Sequence, residues 1–309
     1  MIREIKIMDE KWNYLIVLDA CRYDYFSKLF DGVLPGKLEK VYSPAYCTVE
    51  WCIKSYPEYY EDVVYISANP YINSKAQVRG FKASDHFFKI IDVWEWGWDE
   101  QLGTVHPQKI NETTMNLQNQ YANKRLIIHY LQPHAPYLRY DLSKGFPKPH
   151  VNGPILTGIQ DRKPNKITKW LSHLDYIVQK YSALESLFGN RPSWTIKEFL
   201  NIPPSGPIEV VLRKVGIQGL RQAYEDNLKM VLSYVLKLIE TMSGVIIITA
   251  DHGELLGEKR CYSHFCGSRN PLLKEIPWLV IEKVTKRRKI SEKNWISQKV
   301  TQLKTSKRI

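Results

Sequence analysis

The sequence predicts an α/β fold in which helices cover both faces of a mostly parallel central sheet. Three short apolar runs, residues 14–18, 126–128 and 245–249, carry this prediction. Continuous runs rich in β-branched residues are typical of strands buried on both faces, which occur in parallel sheets covered by helices. The runs are followed by Asp19, by His129 and, one residue further on, by Asp251. A functional site is expected there, because ligands bind beyond the carboxyl ends of such strands.

Two further strands and one long helix complete the predicted core. Residues 63–67 and 277–281 have the same apolar, β-branched character as the first three runs. Residues 219–242 place apolar side chains at helical spacing and then meet Ser243-Gly244, a plausible helix stop. This helix leads directly into the strand before Asp251.

The chain divides into three predicted parts. Residues 1–282 form the catalytic α/β domain, and residues 283–309 form a basic C-terminal tail. Within the domain, residues 144–216 are rich in Pro, Gly, Trp and Lys, with weaker helical patterns at 168–188 and 194–200. We interpret this segment as a helical insertion that caps the site.

Composition and targeting signals predict a cytoplasmic protein. The 309 residues are 44% hydrophobic and 25% charged, as in ordinary globular proteins. The N-terminus has no basic start followed by an apolar run, and no stretch approaches the roughly 18 apolar residues of a membrane span. Five cysteines are an odd number, which favours reduced thiols over a disulfide framework.

The net charge of +12 is concentrated at the C-terminus. Ten basic residues lie between Lys283 and Arg308, against Glu282 and Glu292 alone. Such a tail is either a solvated segment or a peripheral contact with anionic lipid or, non-specifically, nucleic acid. A basic enzyme would also favour anionic substrates.

Four side chains form a candidate metal site: Asp19, Thr48, Asp251 and His252. A mixed set of oxygen and nitrogen ligands suits one divalent ion, zinc or manganese best, with magnesium or calcium as alternatives. Pro44 breaks regular structure, so a helix could begin near Cys47 and place the Thr48 hydroxyl at its positive end. A metal-bound hydroxyl there could ionise near neutral pH and attack a phosphorus or sulfur centre.

Several motifs resemble the sulfatase-like and phosphoethanolamine- or phosphoglycerol-transferase branch of the alkaline phosphatase superfamily. They are Asp-His-Gly-Glu-Leu-Leu-Gly-Glu from Asp251 to Glu258 with His264 following, Pro-His-Ala-Pro-Tyr from Pro133 to Tyr137, and Leu-Asp-Ala-Cys-Arg-Tyr-Asp from Leu18 to Asp24. The resemblance covers about residues 13–55, 126–137 and 244–282. It implies an alkaline phosphatase-like fold.

The resemblance also implies a role for each matching residue. Asp19, Thr48, Asp251 and His252 would hold the metal, and Thr48 would be the nucleophile. His134 and His264 would bind the phosphate oxygens or the leaving group. Arg22 is open to two interpretations, a contact with the substrate phosphate or an ion pair with Asp24.

Two departures from family patterns narrow the predicted class. No cysteine begins the C-x-P-S-R motif of formylglycine sulfatases. Tyr130 stands four residues before His134, where the two-metal enzymes have an aspartate, which favours a single metal. His129 matches no motif and is expected to be structural, and Cys47 is expected to be a small buried apolar residue.

The predicted function is hydrolysis, or alternatively transfer, of a phosphate or sulfate ester through Thr48. The substrate would be an anionic ester, with a glycan- or lipid-linked alcohol as a candidate. The alternative is a catalytically silent domain that binds an anionic glycan or polymer through its basic surface. The ester, the alcohol and the oligomeric state are left open.

Overall fold

The computed structural model describes residues 2–30, 34–138, 147–152, 155–157 and 166–283, and the predicted tail after Lys283 lies outside them. The strands in this part are β1 Tyr14–Leu18, β2 Lys37–Tyr42, β3 Tyr60–Ser67, β4 Phe87–Asp92, β5 Trp98–Asp99, β6 Thr104–Val105, β7 Arg125–Tyr130, β8 His150–Asn152, β9 Ile155–Thr157, β10 Gly244–Thr249, β11 Leu255–Glu258, β12 Cys261–Ser263 and β13 Glu275–Lys283. The α-helices are α1 Tyr23–Phe30, α2 Thr48–Ser55, α3 Val93–Gly97, α4 Pro107–Leu117, α5 Lys166–Lys180, α6 Ser182–Phe188, α7 Pro192–Phe199 and α8 Pro207–Ile239.

A seven-stranded sheet in the order β2-β13-β10-β1-β7-β3-β4 forms the core. The strands from β10 to β4 are parallel, and β13 and β2 add an antiparallel edge. Tyr14 of β1 is in register with Ile246 of β10 and with Leu126 of β7. The carboxyl ends of these three central strands therefore meet at one edge of the sheet. The predicted mostly parallel sheet is confirmed.

Helices cover both faces of this sheet, as the two last residues of β7 show. The side chains of His129 and Tyr130 point to opposite faces because successive residues of a strand alternate. The His129 ring lies 6.2 Å from the ring of Trp51 in α2. The hydroxyl of Tyr130 donates to Oδ1 of Asn111 in α4 at 2.6 Å. Thus α2 packs on one face and α4 on the other, as the buried strands predicted.

The long helix is longer than the sequence pattern indicated. The predicted start at residue 219 lies close after Gly216, whose φ of 67° interrupts the helical backbone inside α8. Glycine tolerates this left-handed conformation without the clash that a β-carbon would cause. The sequence pattern predicts only the part of α8 on the C-terminal side of this kink, where the helix packs on the core.

The predicted insertion contains three helices, α5 to α7, and the first part of α8. Helix α5 packs against both α6 and α7. The boundaries at 144 and 216, and the division into domain and tail, stay predictions. Within the described residues, no helix combines the length and the apolar character needed to cross a membrane.

Candidate active site

Side chains predicted to form the site lie at the carboxyl ends of adjacent parallel strands. Asp19 directly follows β1, and Asp251 and His252 follow β10 after one alanine. His129, near the end of β7, reaches the same edge because β7 is the other neighbour of β1. None of these four residues is more than 2% exposed. The sheet therefore gathers two carboxylates and two imidazoles away from bulk water.

Thr48, the first residue of α2, joins this cluster through its hydroxyl. Its Oγ1 donates a hydrogen bond to Oδ2 of Asp251 at 2.8 Å and lies 3.4 Å from Nε2 of His252. The turn before the helix is fixed by Ser43, whose Oγ donates to the carbonyl oxygen of Asp251 at 2.5 Å. The structure thus ties the start of α2 to the turn that follows β10.

The carboxylate of Asp251 divides its two oxygens between backbone and side-chain partners. Oδ1 accepts from the backbone N–H groups of Ala20 at 3.0 Å and of His252 at 2.9 Å. Ala20 has a φ of 59°, a left-handed conformation that costs a non-glycine residue about 1–2 kcal/mol. Strain of this kind is concentrated at functional sites. Because the backbone holds Oδ1, Oδ2 is left for Thr48.

His252 presents one ring nitrogen to the cluster in a defined state. Its Nδ1 donates to the carbonyl oxygen of Gly253 at 2.8 Å, so Nε2 carries the free lone pair. This Nε2 lies 3.4 Å from Oδ2 of Asp251 and 3.9 Å from Oδ1 of Asp19. A β-carbon at Gly253 would come within 2.4 Å of the carbonyl oxygen of Leu272. Glycine is therefore required for this turn to pack as it does.

The charge at the site fits a divalent cation. Within the described residues, no lysine or arginine nitrogen lies within 4.0 Å of the carboxylates of Asp19 or Asp251. Buried carboxylates need charged partners or a metal. A carboxylate oxygen of Asp19 and one of Asp251 lie within 4.8 Å of each other. Carboxylate, hydroxyl and imidazole donors could together hold such an ion.

Asp19 is held in its ionised form by its neighbours. Burial alone would raise its pKa, but the nearby imidazoles of His129, His134 and His252 hold the pKa below its ordinary value. Asn69 also donates from Nδ2 to Oδ2 of Asp19 at 2.7 Å. Both effects favour the charged carboxylate that a metal ligand must provide.

His129, which the sequence pattern suggested was structural, faces the cluster. Its Nδ1 is paired with the hydroxyl of Tyr65 at 2.8 Å, and its Nε2 lies 3.6 Å from Oδ2 of Asp19. Among the described residues the Tyr65 hydroxyl has no second hydrogen-bond partner. It therefore donates to Nδ1, since a buried hydroxyl proton without an acceptor is costly. His129 then carries its proton on Nε2, directed toward Asp19.

A second group of side chains lies beside the first. Nδ1 of His264 is 3.2 Å from Oε1 of the fully buried Glu254. The His264 ring centroid lies 4.1 Å from that of His252 and 5.3 Å from that of His134. Burial would raise the pKa of Glu254, but His264 and then His134 and His252 hold it below its ordinary value. The structure therefore brings both predicted substrate-binding histidines to the site.

Glu254 also bears on the number of metals. Tyr130 leaves the second metal position of the family motif without a carboxylate, yet Glu254, His134 and His264 offer ligand atoms within 4.8 Å of one another. The Glu254 Oε2 atom has no hydrogen-bond partner in the described part of the chain. The single metal stays a prediction, because Glu254 supplies a buried carboxylate beside His134 and His264.

Two side chains of α8 position the loops that carry site residues. Asn227 donates from Nδ2 to the carbonyl oxygens of His134 at 3.3 Å and Pro136 at 3.0 Å, and its Oδ1 accepts from the N–H of Leu138 at 2.9 Å. The hydroxyl of Tyr224, three residues earlier on the same face, donates to the carbonyl oxygen of Ala20 at 2.7 Å. A periodic helix pattern gives no sign of these contacts.

Arg22 is engaged by other protein groups. Its Nη2 lies 2.7 Å from Oδ2 of Asp24, and its Nη1 lies 2.6 Å from Oε1 of Glu258 and 3.2 Å from the carbonyl oxygen of Glu254. Burial alone would lower the pKa of this guanidinium, and the two carboxylates raise it further than burial lowers it. These contacts agree with the predicted pair with Asp24. Substrate binding by Arg22 stays a prediction that this arrangement does not favour.

One pair of cysteines contradicts the expectation of reduced thiols. Cys47 and Cys266 form a disulfide, whereas Cys21, Cys52 and Cys261 are free and buried. Cys47 is therefore a cross-link, not the isolated apolar residue that was predicted. The bond ties the residue before Thr48 to the segment just after His264. Disulfides persist mainly in oxidising compartments, so the prediction of a cytoplasmic protein is not supported.

No family model and no curated protein matches the chain. Among solved structures, the lipooligosaccharide phosphoethanolamine transferase A (EptA) of Neisseria meningitidis, an integral membrane protein, is 13% identical with a TM-score of 0.48; the match covers 91% of this chain and 48% of that protein. The chain thus spans about half the length of that protein.

Two further structures are similar at the same level. The C-terminal periplasmic domain of phosphoethanolamine transferase EptC of Campylobacter jejuni is 15% identical, with 97% and 87% coverage and a TM-score of 0.44. The lipoteichoic acid synthase LtaP of Listeria monocytogenes is 10% identical, with 89% and 66% coverage and a TM-score of 0.44. EptA and EptC are phosphoethanolamine transferases, one of the enzyme classes whose motifs this sequence resembles. The similarity to these structures is too low to assign a function, and the function of this chain is inferred from the geometry of its own site.

Proposed function

We propose that this protein is a metal-dependent enzyme that cleaves phosphate esters through a covalent intermediate on Thr48. The observation that carries the proposal is the position of the Thr48 hydroxyl, 2.8 Å from Asp251 and 3.4 Å from His252. Asp19 completes a buried set of two carboxylates, one imidazole and one hydroxyl. Within the described residues neither carboxylate near this threonine has a lysine or arginine partner, which supports a bound cation over a purely structural role.

Asp19, Thr48, Asp251 and His252 would hold the metal, with zinc or manganese the best match to these donors. When bound, the cation would lower the pKa of the Thr48 hydroxyl and balance the negative charge that develops on the substrate. Two contacts of these residues support this assignment. The backbone fixes one oxygen of Asp251, and the ring of His252 presents Nε2.

The first chemical step would be an in-line attack by Oγ1 of Thr48 on phosphorus. The bond from phosphorus to the ester oxygen breaks, the phosphoryl group moves to Thr48, and the alcohol leaves with a proton. His134 and His264 would bind the phosphate oxygens or give the leaving oxygen its proton. Glu254 occupies Nδ1 of His264, so Nε2 is the ring nitrogen left for the substrate.

The second step removes the phosphoryl group from Thr48. Attack by water completes hydrolysis, and attack by an acceptor alcohol completes transfer. We propose hydrolysis as the basic activity, because water needs no binding site of its own. A phosphate ester is favoured over a sulfate ester because the chain lacks the formylglycine motif. The motif resemblance suggests an alcohol linked to a glycan or a lipid.

Acid-quenched peptide mapping by mass spectrometry tests the proposal. The metal-loaded protein is mixed with a nitrophenyl phosphate, a phosphodiester and a nitrophenyl sulfate, then quenched and digested. The expected result is a phosphoryl adduct on Thr48 with one of the phosphate substrates. Thr48→Ala should lose the adduct and lower turnover by about 10³-fold or more. Thr241→Ala, an exposed threonine after α8, is the matched control.

The same experiment separates the competing functions. Turnover that Thr48→Ala leaves unchanged would exclude Thr48 as the nucleophile. Binding of an anionic glycan without turnover of any ester would support the catalytically silent binding domain. A second reaction that contains an added alcohol distinguishes transfer from hydrolysis. A new phosphate ester forms only if the alcohol accepts the phosphoryl group from Thr48.

A further inference from the structure

Exposed apolar side chains are concentrated in the helical insertion. Of the fifteen exposed large hydrophobic residues in the described part of the chain, ten lie between residues 167 and 215. On soluble proteins such side chains are usually scattered singly, and a concentration of them marks an interaction surface. The insertion therefore carries a surface that its own packing does not explain.

Helix α5 shows how this surface is built. Its buried side, Leu171, Asp175 and Val178, follows helical spacing, and the helix packs on α6 and α7. Trp170, 61% exposed, and Ile177, 36% exposed, are seven residues apart and so lie on one side of the helix. The neighbouring helices leave this apolar side uncovered.

Lysines flank the exposed apolar residues of α5. Lys166 is one turn before Trp170, Lys180 is one turn after Ile177, and Lys169 adjoins Trp170; all three lysines are exposed. The one carboxylate of α5, that of Asp175, is buried against Ser193 of α7. All the exposed charges of α5 are therefore positive.

The shorter helices add apolar residues at their carboxyl ends. Leu187 and Phe188 finish α6 at 67% and 55% exposure. Phe199 ends α7 at 85% exposure, and Leu200 directly after it is 51% exposed. Large side chains this exposed in pairs are unfavourable in water unless another surface covers them.

This part of the insertion is anchored close to the candidate active site. Asn190, between α6 and α7, exchanges two hydrogen bonds of 2.8 Å with the backbone of Tyr262 in β12. The Trp194 ring of α7 stacks on the Tyr262 ring with centroids 5.4 Å apart. His264 is only two residues beyond Tyr262. A partner that covers these helices would therefore lie close to the candidate active site.

We propose that the exposed apolar residues of helices α5 to α7, those of α5 first, dock on the surface of an anionic lipid bilayer. Tryptophan and other apolar side chains enter the boundary between head groups and acyl chains, while flanking lysines meet anionic head groups. A second copy of the chain fits less well, because two-fold pairing of this surface would bring lysines against lysines. One consequence rests on the proposed function: docking would favour esters carried by lipids.

Vesicle co-sedimentation of the full chain tests the proposal. The probes are phosphatidylcholine vesicles with and without phosphatidylglycerol. We expect binding to the anionic vesicles, reduced about tenfold or more by Trp170→Ser with Ile177→Ser. Trp96→Ser is the matched control, because Trp96 is 58% exposed but lies in α3, outside the insertion. It should change binding by less than about twofold.

Further variants separate docking through α5 from membrane contact by another segment and from self-association. Replacing Lys166, Lys169 and Lys180 by glutamine should weaken binding to anionic vesicles. Thr48→Ala should bind like the wild type, so failure of the chemistry and failure of docking are distinguishable. Unchanged binding by the Trp170 and Ile177 variant would assign membrane contact to another segment, such as the C-terminal tail, and overturn the proposal. Absent vesicle binding together with self-association that this variant abolishes would also overturn it, in favour of a second copy.

Discussion

The hydroxyl of Thr48 donates a 2.8 Å hydrogen bond to Oδ2 of Asp251, although 203 residues separate them in the sequence. The two side chains meet because a helix begins at the same edge of the sheet where β10 ends. His252 and Asp19 lie around the same point. A hydroxyl, two carboxylates and an imidazole are thereby brought together in one buried place.

Metal binding should stabilise the fold. A cation that binds only the folded protein adds about 2.7 kcal/mol to the free energy of unfolding when its free concentration is 100 times its Kd. Thermal unfolding of metal-free protein, with and without added zinc or manganese, measures this. Asp19→Asn should lose most of the shift. Asp85→Asn, which alters an exposed carboxylate paired with Lys82, should keep it; equal shifts in both variants would argue against Asp19 as a ligand.

The hydroxyl of Tyr65 should matter for metal affinity even though it does not reach the metal ligands. It fixes the proton of His129 on Nε2, and His129 in turn faces Asp19. Tyr65→Phe is expected to weaken metal binding by about 10- to 100-fold, measured by competition with a chelating dye. Tyr56→Phe is the control, because the buried Tyr56 hydroxyl has no partner in the described structure. A similar loss in both variants would indicate a packing effect.

The disulfide between Cys47 and Cys266 should stabilise the protein and hold the site together. Replacing both cysteines by serine is expected to lower the free energy of unfolding by about 2–5 kcal/mol. It should also raise KM, since the bond links the start of α2 to the segment after His264. Chemical denaturation with and without reductant is the measurement. Reductant should destabilise the wild type and leave the double variant unchanged. A wild type whose stability does not change with reductant would mean that the bond does not form.

Asn227 should be a positioning residue for His134. Its side chain binds the loop through two carbonyl oxygens and one N–H group. Asn227→Ala leaves these buried groups unpaired, so we expect a loss of about 1–3 kcal/mol in unfolding free energy. The value of kcat/KM should also fall, because His134 moves relative to His264. Gln222→Ala, on the exposed side of the same helix, should change stability by less than about 0.5 kcal/mol.

Much of this arrangement follows from the sequence because parallel strands end together. The runs before Asp19 and Asp251 predicted buried strands of a parallel sheet, and the structure pairs these two strands in register. Pro44 and Cys47 indicated the start of a helix, and α2 begins at Thr48. Local patterns were sufficient for these features because each depends on a few consecutive residues.

The features that the sequence did not predict depend on contacts between segments far apart in the chain. His129 belongs to a strand pattern, and only the neighbouring strand shows that Tyr65 sets its proton. The disulfide joins cysteines 219 residues apart, and cysteine spacing cannot give such a pairing. Asn227 sits within a regular helix, where its role is visible only from the loop that it holds.

Anomalous X-ray diffraction from crystals of the metal-loaded protein tests the central claim most directly. Data collected on both sides of the absorption edge of the added zinc or manganese locate the ion independently of any assumed ligand. The proposed function predicts a peak enclosed by the oxygens of Asp19, Thr48 and Asp251 and by Nε2 of His252. No peak there, or a peak only between His134, Glu254 and His264, would contradict it.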